Sequence, residues 1–182
     1  AKLEATLKRD PTLAFQLLRL INSPARGMKV EGNSLGHAVM LLGHKRLKRW
    51  LALLLPTATR EPNLRPILFA SVRRGFLMEE LGRASGDAEM RSEMFICGVF
   101  SLLDRLFQQP ISNLLASIQV PERVKQALID GDGPFAPYMN LVSALEAGSP
   151  FDLHAASDSL LMGVAEVNGA LLRALTAAAQ LD

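Results

Sequence analysis

The sequence has a single cysteine, Cys97, which excludes an intrachain disulfide and any cysteine-based zinc site. Aromatic residues make up only 5% of the chain, so a core must be filled by Leu, Ala, Ile, Met and Val. Leu, Ala and Met are good helix formers and β-branched residues are few, so the expected fold class is all-α. No apolar run reaches the roughly 18 residues of a membrane span; the longest candidate, Trp50 to Pro56, is far shorter. There is no phosphate-binding Gly-rich loop. The composition suits a reducing cytoplasm. The opening Ala1-Lys2-Leu3 resembles no signal peptide and lacks an initiator Met, so the expectation is a cytoplasmic fragment of a longer protein.

What is present is an ordinary globular balance, 49% hydrophobic and 21% charged over 182 residues, enough for one domain with a sizeable core. The net charge of +2 conceals an asymmetry. Residues 1–60 carry 11 Lys/Arg against 3 Asp/Glu, a net of +8, and residues 61–182 carry 9 against 15, a net of −6. Such a split marks either an interaction face or two halves that attract each other within the fold.

Helix punctuation is clear along the chain. Asp10-Pro11 caps and opens a helix carrying Leu13, Leu17, Leu18, Leu20 and Ile21 on one face, stopped by Asn22-Ser23-Pro24. Ser34 caps the next, which ends at Gly43. A third runs over about 44–55, basic at its start and apolar at its end. A linker over 61–66 leads to a long helix at about 67–84, and Ser85-Gly86-Asp87 turns the chain into another at about 88–107. Shorter helices are expected near 111–118, 121–130 and 137–147, separated by Gly131-Asp132-Gly133-Pro134 and Gly148-Ser149-Pro150, with a last helix at about 161–181. Leu13, Leu17, Leu18, Ala38, Leu42, Leu51, Leu54, Phe95, Phe100 and Leu103 are the expected core.

Three stretches in this order carry a family resemblance. They are Asp10-Pro11-Thr12-Leu13 leading to Leu17-Leu18-Arg19-Leu20-Ile21-Asn22-Ser23, then Ser34-Leu35-Gly36-His37-Ala38-Val39-Met40-Leu41-Leu42-Gly43, then Leu47-Lys48-Arg49-Trp50-Leu51. Together they resemble HDOD domains, over essentially the whole chain. The later segment Phe100-Ser101-Leu102-Leu103-Asp104-Arg105-Leu106-Phe107 is similar to the HDOD half of bacterial proteins in which a cyclic-di-GMP phosphodiesterase (EAL) domain precedes an HDOD domain. The resemblance implies a compact multi-helix, HD-like domain occupying residues 1–182, with an EAL domain before it. It also implies a bacterial signal-transduction module acting by protein–protein interaction with that EAL domain or another signalling protein.

HDOD domains are related to HD phosphohydrolases, which hold a metal with an upstream His, an adjacent His-Asp pair and a downstream Asp. The pair sits in a pattern like Gly-Leu-Leu-His-Asp. The corresponding run is Gly98-Val99-Phe100-Ser101-Leu102, so Ser101 stands where the His would be and Leu102 where the Asp would be. Leu cannot ligate a metal and a neutral Ser is a poor substitute for imidazole. The upstream His is missing from Ala70-Ser71-Val72-Arg73-Arg74. No catalytic residue, metal site or cofactor is therefore expected. His37 and His44 are too far apart to share an ion even on one helix, roughly 10 Å of rise, and His154 is remote. Asp130-Gly131-Asp132-Gly133 lacks the later ligands of a calcium loop and reads as a helix-ending turn. Glu79 and Glu80 are adjacent on a helix, so they point in different directions.

The most distinctive polar feature is the run His44-Lys45-Arg46-Leu47-Lys48-Arg49-Trp50. His44, Lys45, Arg46, Lys48 and Arg49 form either a docking surface for an acidic partner or a solvated helix face. Nucleic acid is an alternative partner, but the basic face is short, and one Trp and one Tyr give little for base stacking. A small-molecule sensor with an internal pocket is a further alternative. No membrane partner is expected, and the oligomeric state is left open.

Overall fold

A computed structural model of the chain describes residues 65–116 and 120–179. Every regular element among them is helical. Helix α1 (Arg65–Leu81) begins with Pro66 in its first turn, where a missing N–H costs nothing. Val72, Phe76, Leu77, Met78 and Leu81 on it are all buried, so it is a central helix. A 3₁₀ turn (Gly82–Ser85) and Gly86, at φ +70°, reverse the chain. Helix α2 (Ala88–Phe100) then starts where Asp87 accepts hydrogen bonds from the N–H groups of Glu89 and Met90, at 2.9 and 3.1 Å. From Glu93 to Phe100 every residue of α2 is buried. A helix apolar all round is a core element, and α2 packs along α1 as the second half of a hairpin. Phe76 and Phe95 meet edge to face across it, ring centroids 5.3 Å apart.

The sequence pattern predicts one helix over 88–107. The chain instead breaks at Ser101-Leu102 and resumes as α3 (Leu103–Phe107). At the break the Ser101 hydroxyl donates to the Gly98 carbonyl at 2.7 Å. Leu102, at φ −120° and ψ 14°, leaves helical geometry. Helices α4 (Ile111–Ala116) and α5 (Glu122–Lys125) follow, and α5 widens into a π turn (Gln126–Asp130). That turn ends at Gly131, φ +71°, so Asp130-Gly131-Asp132-Gly133 is a helix-ending turn as its glycines suggested.

Helix α6 (Ala136–Ala147) ends at Gly148 in the left-handed region. The next element was not anticipated. Ser149 caps a helix α7 (Pro150–Ser159), accepting from the Asp152 N–H at 3.3 Å, with Pro150 at its first position. Helix α8 (Val164–Ala179) starts three residues later than expected and packs along α1.

One core cluster runs from Val72 on α1 to Ala178 on α8. Phe95, Phe100 and Leu103 lie in it as expected; the seven more N-terminal residues expected in the core fall outside the described residues. No single helix among the described residues is long and apolar enough to cross a membrane.

The two central helices touch backbone to backbone. A Cβ built on Gly98 would lie 2.5 Å from the Arg74 carbonyl oxygen and 2.7 Å from the Gly75 Cα. Neither neighbour is a flexible side-chain end, so Gly98→Ala must push the helices apart. We expect Gly98→Ala to destabilise the chain by about 1–3 kcal/mol in denaturant unfolding. A loss within a few tenths of a kcal/mol would show that α1 and α2 are not held this closely.

Candidate functional site

The close crossing of α1 and α2 fixes the surroundings of Ser101, which the resemblance read from the sequence sets at the place of an HD enzyme's metal-binding His. Ser101 closes α2, its N–H donating to the Cys97 carbonyl at 3.0 Å. Its hydroxyl donates to the Gly98 carbonyl and accepts from Arg74 Nη1 at 2.9 Å. Leu102 is turned into the core, 5% exposed. Neither side chain is therefore disposed to hold an ion.

The cation at this place is the Arg74 guanidinium. Beyond Ser101 it reaches Glu146 on α6, with Nε 3.1 Å from Oε1 and Nη2 2.6 Å from Oε2, a bidentate pair. Arg73 Nη2 donates to the same carboxylate at 3.1 Å. Two guanidinium groups on one carboxylate leave a local positive charge, part-sheltered by the helices. Burial alone would raise the Glu146 pKa. The hydrogen bonds and charges of Arg74 and then Arg73 outweigh it and hold the carboxyl below the ordinary carboxylate range.

Chemically, this arrangement holds its polar groups in mutual hydrogen bonds. A guanidinium does not give up its proton, and the Ser101 hydroxyl is hydrogen-bonded to an arginine and a carbonyl, with no imidazole to activate it. Among the described residues no group of three or more His, Cys, Asp or Glu could hold a metal ion. Cys97 is fully buried, and burial pushes its thiol up to about 12, which makes it inert. His154 is exposed on α7, with Nδ1 3.1 Å from the Pro150 carbonyl. Glu79 and Glu80 diverge as expected: Glu79 faces Arg91 on α2 at 3.8 Å, whereas Glu80 pairs with Arg173 on α8 at 2.6 Å. His44, Lys45, Arg46, Lys48 and Arg49, with His37, lie outside the described residues.

No local motif points to the Arg74–Glu146 contact, whose members are 72 residues apart.

A depressed carboxylate pKa has a definite sign in a stability profile. Glu146 contributes stability that is fully present above its unfolded pKa and is lost as pH falls through its lower folded pKa. Glu93 works oppositely, because burial raises its pKa despite Arg123 at 2.9 Å, so its contribution fades as pH rises. Solvent screens the Arg74–Glu146 pair in part, so we expect Glu146→Gln to destabilise the chain by about 0.5–1 kcal/mol at neutral pH, and the gap from wild type to shrink on acidification. Denaturant unfolding of both proteins across the carboxylate range checks this, and a gap independent of pH would contradict it.

Comparison with known proteins agrees with this geometry. The model of the HDOD domain matches residues 1–116, the stretch that ends with α4. An uncharacterized protein of Bacillus subtilis, YuxH, is 29% identical over 146 residues, 79% of this chain and 36% of its own length. The cyclic di-GMP phosphodiesterase CdgJ of Vibrio cholerae is 23% identical over 145 residues, 80% of this chain and 34% of its own. The chain thus spans about a third of the length of these two relatives. No solved structure matches it. With well over half of its residues matched by the family model, including the helices that carry Arg74 and Ser101, the chain belongs to the HDOD family.

Proposed function

We propose that this chain is a non-catalytic signal-transduction module of a cyclic-di-GMP-related regulator, working by protein–protein contact. The observation that carries the reading is the fate of the HD position: Ser101 and Leu102 replace the ligand pair, and the Arg74 guanidinium takes up the hydroxyl. Loss of the ligands removes the chemistry while α1 and α2 keep their packing, which is what a binding module needs. The cyclic-di-GMP link rests on the similarity to CdgJ. On this reading residues 1–182 form one HDOD domain, and the partner is an EAL domain on the same polypeptide or another signalling protein. The shared core from Val72 to Ala178 supports including α5–α8 in that domain. The basic run from His44 to Arg49 is the proposed contact, because one-signed charge steers encounter with an acidic partner.

Two measurements test the reading. The purified chain is expected to retain no stoichiometric transition metal and to leave cyclic dinucleotides and nucleotides intact. Metal-dependent turnover abolished by changing a protein ligand would overturn the non-catalytic part. Reversal of Lys45, Arg46, Lys48 and Arg49 to Glu together is expected to slow partner association and flatten its salt dependence. Unchanged binding would remove this run as the contact, and loss of a sequence-specific DNA interaction would favour a nucleic-acid regulator instead.

A further inference from the structure

We draw no further inference here: the strongest candidate, the outward apolar face of α8 (Val164, Leu172 and Leu175) opposite the alanine face laid on α1, carries nothing, since nothing in the structure shows what covers it.

Discussion

The backbone contact between α1 and α2 at Gly75 and Gly98 is the constraint on which the rest depends. With no Cβ on Gly98, the Arg74 carbonyl and the Gly75 Cα approach to distances no other residue would allow. That closeness lets a side chain at the end of α2 reach one on α1, so Ser101 and Arg74 meet at 2.9 Å. It also sets the tight interior in which Phe76, Phe95 and Val99 pack. Glycine at such a point weakens the isolated helix, and the packing it permits must offset that loss.

From this contact follows the character of the site. The cation at the crossing of α1 and α2 is a guanidinium supplied by the chain. It is neutralised by Glu146 from α6, so the element after the π turn is clamped to the central hairpin by charge as well as by Leu141 and Val142 in the core. The ion pair thus strengthens the scaffold by tying α6 to the central hairpin.

Much of the fold was legible because its turns carry unambiguous chemistry. Gly86, Gly131 and Gly148 all sit at positive φ where the sequence places turns, and Asp87, the last residue of the first of them, also caps α2. Helix α7 was missed although Ser149-Pro150 repeats the signal read at Asp10-Pro11, a cap followed by proline; the short segment has too little apolar periodicity to declare itself. The break after Phe100 is invisible in the sequence because Phe100-Ser101-Leu102-Leu103 is unobjectionable helix sequence, and it is tertiary structure that turns Leu102 out of helical geometry. The Arg74–Glu146 pair could not be read, since the two residues are joined only by tertiary structure. The inverted faces of α8 were likewise hidden, because an alanine face against a leucine face does not say which is inside.

The central claim is that Arg74 and Glu146 act as one unit that ties α6 to α1. A double-mutant cycle with Arg74→Met, Glu146→Gln and the pair of them, followed by denaturant unfolding at neutral pH, addresses it most directly. The account predicts coupling of about 0.5–1 kcal/mol, with the double variant less destabilised than the sum of the single changes. Additivity within about 0.3 kcal/mol would mean that the two side chains do not sense each other, and would contradict the account.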